Sequence, residues 1–152
     1  VATATITIDT SPEDVFAVLA DADSYGEWVV GSDTIRDADA GFPAQGTRFH
    51  HRVGVGPLKT NDHTEVLDVN APYLLELRAK ARPFGTAEVK LLLTPRRPGS
   101  THVTMIETAG DAVSRLLFNP VTAPLVRLRN MESLRRLKRM AEARATVAAD
   151  DR

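Results

Sequence analysis

Four side chains in the middle and late parts of the chain, His51, His63, Glu65 and Glu107, are of the types that move protons. An imidazole and a carboxyl held together in an apolar setting can pass a proton to and from a bound molecule as general base and acid. Desolvation disfavours the ionised carboxyl there, and a neighbouring imidazolium favours it. Two histidines and Glu65 are also metal-ligand types, but their strand positions follow no zinc-site spacing, and the adjacent His50 and His51 point to opposite faces. No metal and no cofactor is therefore expected. The chain has no cysteine, so thiolate chemistry, disulfides and cysteine-ligated metals are excluded. It has no P-loop, no G-x-G-x-x-G and no G-x-S-x-G, so nucleotide binding and hydrolase triads lack support.

Strands must position these groups. Ala2 to Ile8 alternates threonine with Ala4, Ile6 and Ile8, and further strands are expected at about 32–39, 47–55, 59–69, 73–81, 86–94 and 101–109. The breaks carry turn residues: Gly41-Phe42-Pro43, Gly56-Pro57, Asn70-Ala71-Pro72, Pro83-Phe84-Gly85 and Pro98-Gly99. Short loops make the seven strands mostly antiparallel. Alternation directs odd positions inward: Leu75, Leu77, Ala79 and Ala81, then Ala87, Val89, Leu91 and Leu93. Phe49, Val53 and Val55 follow, as do Leu67 and Val69 more weakly, and Val103 and Met105 against a contrary Ile106. A three-residue loop at Gly56–Leu58 would then set His51 opposite His63 and Phe49 opposite Glu65. The alternatives are the opposite phase for 59–69, since a one-residue slip exchanges the faces, or an ordinary set of buried hydrogen-bonded pairs. Small Ala79, Ala81 and Ala87 leave space on the inner face, which favours a cavity.

A long helix is expected from about 119 to 147, which contains no glycine. Val126, Met131, Leu134, Leu137, Met140, Ala141 and Ala145 share one side; Arg129, Glu132, Arg135, Arg136, Arg139 and Glu142 share the other. At 1.5 Å per residue, ~24 residues make a rod of roughly 36 Å that needs a broad apolar surface to lie on. Arg127 and Asn130 break the apolar side. Either they reach water by snorkelling, or this half of the helix lines a hollow. Near the N-terminus, Ser11-Pro12-Glu13-Asp14 starts a short helix with a serine cap, a proline in the first turn and acids beside the helix dipole. Ser24 to Trp28 reads as a second short helix or a turn, whose Tyr25 and Trp28 either close one end of the core or form part of a cavity wall.

With 152 residues and 43% apolar content, the chain suits one domain over 1–147 with a frayed tail at 148–152. No leader and no apolar run near 18 residues is seen, so a cytoplasmic protein without a membrane span is expected. The net charge of −1 is uneven: residues 1–119 carry 11 basic and 16 acidic groups, residues 120–152 carry 8 and 4. The arginines of the last helix are interleaved with glutamates and lack aromatics for base stacking, which argues against nucleic acid.

The order of elements resembles the START/Bet v 1-like (SRPBCC) helix-grip superfamily and, within it, the polyketide cyclase/dehydrase-like branch. The residues that carry this are Ser11-Pro12-Glu13-Asp14-Val15-Phe16, Leu19, Asp21, Tyr25 and Trp28, then Gly46, Val66, Asp68 and Pro72, and Leu134 with Leu137-Lys138. The likeness covers about residues 2–142. It implies an α+β helix-grip fold: a seven-stranded, mostly antiparallel curved sheet around a long C-terminal helix, with two short helices after the first strand. It also implies a largely apolar cavity between sheet and helix that takes a hydrophobic small molecule, lipid or polyketide-like, as a carrier or sensor. The other readings are a cyclase or dehydratase using the His/Glu groups, and an interaction module acting through the basic helix face. The expected walls are Trp28, Phe49, Leu77, Val89, Leu91 and Met105, with Arg127 and Asn130 as polar points beside the four candidate acid–base residues. A homodimer is left open.

Overall fold

In a computed structural model the chain forms β1 (Ala2–Ile8), α1 (Pro12–Leu19), a 3-10 turn (Ala22–Ser24), α2 (Tyr25–Trp28) and β2 (Ser32–Ala38). Then follow β3 (Arg48–Val55), β4 (Leu58–Asn70), β5 (Leu74–Lys80), β6 (Thr86–Arg97), β7 (Ser100–Ala109), α3 (Ala112–Leu117) and α4 (Ala123–Asp150). The structure describes residues 1–151 except Gly56 and Phe84, and only the backbone of Asp33, Val53, Gly54, Val55 and Leu58. The turn readings at Gly56 and Phe84, the inward directions of Val53 and Val55, and the tail residue Arg152 lie outside the described residues.

The seven strands form one sheet in the order β1-β7-β6-β5-β4-β3-β2, every neighbouring pair antiparallel. Ser11 caps α1 as expected, its hydroxyl accepting the Asp14 N–H at 3.2 Å, and Pro12 opens the helix. Contacts with α1, α2 and β1 hold α4 in place. Three polar contacts fix its course: Asn130 donates to Glu107 on β7, Lys138 Nζ donates to the Thr7 carbonyl, and Glu142 accepts the Asp9 N–H. The helix therefore runs alongside β1 in the same direction, and residues 123–129 extend past the Ala2–Glu107 pair.

That offset divides the inner face of the sheet. At one end Leu75, Leu91, Leu93, Val103 and Met105 are buried beneath Leu134, Leu137 and Ala141, with Phe16 and Leu19 of α1 closing the side. At the other end Ala79, Ala81, Ala87, Val89 and Ala109 also point inward, yet all are half-buried. The first two turns of α4 stand over this end, with Ala123 and Val126 half-buried and the neighbouring leucines exposed.

Four expectations need correction. β3 and β4 pair one residue away from the expected register: Phe49 faces Thr64, His50 faces His63 and His51 faces Asp62. Two residues, not three, connect Val55 to Leu58. A β-bulge between Val66 and Asp68 then restores the odd phase, so β4 turns Asp62, Thr64 and Val66 inward before the bulge and Val69 after it. Second, α3 was not anticipated. Gly85 positions it: a Cβ there would lie 2.7 Å from Asp111 Oδ1 and 2.8 Å from the Ser114 nitrogen, so the β5–β6 turn can press on the helix cap only because it is glycine. Third, α4 spans Ala123–Asp150, where the helix was expected over about 119–147. Fourth, Arg129, placed on the outer side by the helical wheel, reaches back to the sheet, while Arg127 reaches water, one of its two expected placements.

Candidate functional site

Two polar groups sit on the inner face. The first is on β3 and β4. His51 is buried, and its Nε2 lies 2.8 Å from the Thr64 hydroxyl. Beside it the fully buried Asp62 carboxylate accepts the His63 backbone N–H at 3.0 Å, and the Arg82 backbone N–H and Nε at 3.0 and 3.2 Å. Burial opposes the charge of Asp62, but these donors outweigh it and hold its pKa below the ordinary carboxylate value. Asp62 thereby ties the start of the β5–β6 turn to β4. Burial pushes the His51 imidazole down to about 4, with the Asp62 charge offsetting it only in part. His51 is therefore neutral at pH 7, with one ring nitrogen a donor and the other an acceptor.

The second group joins β7 to α4. Glu107 is buried, and its Oε1 accepts both Arg129 Nη2 at 2.5 Å and Asn130 Nδ2 at 2.9 Å. Four strand spacings separate β3 from β7, roughly 19 Å along the sheet at ~4.8 Å per spacing. His51 and Glu107 are therefore no proton-passing pair of their own.

Between these groups the floor is small: across neighbouring strands Thr64 pairs with Ala79, Ala79 with Ala87, and Ala87 with Ala109. At the β3 side an aromatic run closes it. Trp28 and Tyr25 lie 5.1 Å apart, Tyr25 and Phe49 4.7 Å, and Phe49 and the His51 ring 5.5 Å. The buried Tyr25 hydroxyl donates to the Leu19 carbonyl at 2.7 Å, and burial together with the Asp21 charge raises its pKa. Two nitrogens along this run are buried without a hydrogen-bond partner, Trp28 Nε1 and His51 Nδ1; His102 Nδ1 is in the same state. A buried unsatisfied donor costs roughly 1–3 kcal/mol.

The sequence-derived candidates fall into three sets. His51, Glu107 and Asn130 are buried on the inner side, as are Trp28 and Phe49, while Val89 is half-buried at the open end. Leu91 and Met105 belong to the sealed end and Leu77 to its border, where all three are packed core. His63, Glu65 and Arg127 lie apart. Glu65 sits in an outer-face row of alternating charge, with Arg48 at 3.3 Å and Arg78 paired in turn to Glu88 at 3.1 Å. His63 shares the outer face with His50, their rings 6.1 Å apart. With His51 and His63 on opposite faces, the trio of His51, His63 and Glu65 is not assembled, and no three potential ligands converge on a metal site among the described residues.

Asp62, Thr64, Arg82 and Arg129 were missed. The run Lys59–Glu65 holds no large apolar residue to set a phase. The usable signal was the preference of hairpins for two-residue loops, which gives the observed register. Two clefts lie away from the inner face: one of ≈ 430 Å³ between the start of α1 and the β6–β7 turn, and one of ≈ 380 Å³ beside Arg144 and Val147.

A seven-stranded antiparallel sheet with a long helix across one face is an α+β helix-grip fold. The chain belongs to the family described as polyketide cyclase / dehydrase and lipid transport, whose model matches residues 1–142. The Zhui aromatase/cyclase from Streptomyces sp. R1128 superposes with a TM-score of 0.71 at 16% identity, covering 95% of this chain and 94% of that one. A protein from Mesorhizobium loti gives 0.65 at 20% identity, covering 93% and 97%. The di-domain ARO/CYC BexL from the BE-7585A biosynthetic pathway gives 0.69 at 12% identity, covering 93% of this chain and 46% of that one. At these identities the likeness is one of fold. No curated protein matches the sequence. Among the described residues, no helix is long and apolar enough to cross a membrane.

Proposed function

We propose that the chain binds a hydrophobic small molecule over the open half of the inner face, between the sheet and the first turns of α4, as a carrier or sensor. The observation that carries this is the pair of buried, unpartnered nitrogens, Trp28 Nε1 and His51 Nδ1, along the aromatic edge of a floor of small residues. Apolar walls with a few converging polar groups are what small-molecule sites share. The Glu107–Arg129–Asn130 group supplies a second polar point across the floor.

A second reading, a cyclase or dehydratase acting on the bound molecule, draws on the family description and on the two neighbours described as aromatase/cyclase or ARO/CYC. A base works best with a pKa near the working pH, and the His51 value of about 4 favours recognition over proton transfer.

The chain has one tryptophan, so Trp28 reports on the site directly. Native mass spectrometry of freshly purified protein should show the folded chain with a small organic molecule attached. An apolar fluorescent probe added to the stripped protein should quench Trp28 by energy transfer. Ala87→Leu, which fills the floor, should block uptake while the protein stays folded; unchanged uptake would sink the assignment. His51→Gln then separates the two readings: a carrier that uses the His51 nitrogen for recognition loses affinity, whereas an enzyme loses turnover with binding nearly intact.

A further inference from the structure

The segment 112–131 contains three arginines and no carboxylate. On α3, Val113, Leu116 and Leu117 have the i, i+3, i+4 spacing of one helical face; Val121, Leu125 and Leu128, running from the turn into α4, have the i, i+4, i+7 spacing. In a folded chain such faces normally lie against the core. Here all six side chains are exposed, Leu116 at 79% and Val121 at 84%. The turn between the helices is not loose: Asn119 Nδ2 donates to the Leu116 carbonyl at 3.0 Å, and Asn119 Oδ1 accepts the Val121 and Thr122 N–H groups at 2.9 and 3.1 Å. The two apolar stripes are therefore held as one unit.

Charge distinguishes this unit from the rest of α4. Further along the helix, Arg135, Arg136 and Arg139 pair with Glu132, and Arg144 pairs with Asp21. Among the described residues no carboxylate pairs with Arg115 or Arg127, which flank the exposed stripes. A protein-binding patch usually centres on aromatic anchors, and the exposed large apolar residues of this unit are all aliphatic. Protruding aliphatic side chains beside unpaired cations match the interfacial layer of a bilayer, where the chains enter the acyl boundary and the guanidinium groups meet anionic headgroups.

We propose that α3 and the first two turns of α4 form a docking surface for an anionic lipid bilayer. The surface lies beside the open half of the inner face, because α3 packs on β6 and β7 at that end. Docking does not depend on which molecule the inner face binds.

Co-sedimentation with vesicles tests this, using phosphatidylcholine alone and phosphatidylcholine mixed with phosphatidylglycerol, at low and high salt. The full chain should bind the mixed vesicles, should bind neutral vesicles far more weakly, and should be released by salt. Leu125→Ser should weaken binding about tenfold or more through lost apolar burial, and Arg127→Gln about fivefold, the worth of one cation near an anionic surface. Both positions are exposed, so circular dichroism should be unchanged. Arg97→Gln, an exposed arginine on the β6–β7 hairpin, should leave binding as it was. Equal binding to neutral vesicles, or equal losses from Arg97→Gln and Arg127→Gln, would overturn the proposal. So would failure to bind any vesicle, whether the chain stays monomeric or forms a dimer that Leu125→Ser dissolves; the latter result would assign the surface to a second copy.

Discussion

The two halves of the inner face are built from the same strands, yet they answer to different demands. In the sealed half, leucine, valine and methionine from β5, β6 and β7 join Leu134, Leu137 and Ala141 in one buried core cluster. In the open half the strands continue with Ala79, Ala87 and Ala109, too small to reach across, and α4 extends past without packing down. Stability is concentrated where the side chains are large. Of the buried nitrogens without partners among the described residues, Trp28 Nε1 and His51 Nδ1 lie along the aromatic run beside the open half, while His102 Nδ1 lies on β7 opposite Thr7.

The sharpest test of this contrast is a pair of truncating and filling changes. Leu134→Ala, in the sealed half, should cost about 2–5 kcal/mol in urea denaturation, because the buried leucine leaves a cavity. Ala87→Leu, in the open half, should change stability by less than about 1 kcal/mol. Comparable losses from both would mean that the open half is packed core after all.

Acid should act on the open half first. The folded-state pKa of His51 is depressed to about 4 from an ordinary 6.5, so the unfolded chain binds the proton more readily. The stability this contributes is fully present above pH 6.5 and is lost as the pH falls toward 4, amounting to about 3 kcal/mol. The Asp62 contribution, from a carboxylate depressed by Arg82 and His63, is lost lower, as the pH falls through the carboxylate range. A stability profile measured between pH 7 and 4 should flatten in His51→Gln. An unchanged slope would break the claim that this imidazole is held neutral by burial.

Smaller effects mark the border between the halves. Asn130→Ala removes one of two donors to the buried Glu107 carboxylate and should cost about 1–2 kcal/mol. Arg136→Ala, on the exposed face of the same helix, breaks only a solvated i,i+4 pair with Glu132 and should stay within about 0.5 kcal/mol. Denaturation curves for the two variants, six residues apart on one helix, measure how steeply the environment changes around α4.

The sealed half was legible in the sequence because its signals are redundant. Alternating Leu75, Leu77, Leu91 and Leu93, the spacing of Leu134, Leu137 and Ala141, and the capped start of α1 all point to one packing. The open half was legible only where large residues marked it, as at Phe49, Trp28 and Glu107. Between Lys59 and Glu65 every side chain is polar or charged, so nothing in the run distinguishes one face from the other. The odd phase read from Leu67 and Val69 was carried back through a bulge that no residue type announces. His63 and Glu65 were thereby placed inside, and Asp62 and Thr64 outside, when the reverse holds. Arg129 escaped for another reason: an arginine on the outer side of a helix is long enough to fold back over its own turn.

The bulge at Val66–Asp68 behaves like a dislocation in a crystal, a defect defined by one surplus unit that can change position without leaving the lattice. Gliding it to the β3–β4 tip would give a three-residue connection and an unbroken β4, with His63 and Glu65 exchanged for Asp62 and Thr64 across the whole front of the strand. Such a shift would make a second isomer of the hairpin, equal in composition and opposite in lining; the structure holds the one with Asp62 and Thr64 inward. In the observed isomer Asp62 collects hydrogen bonds from Arg82 and His63, which the shifted one would give up.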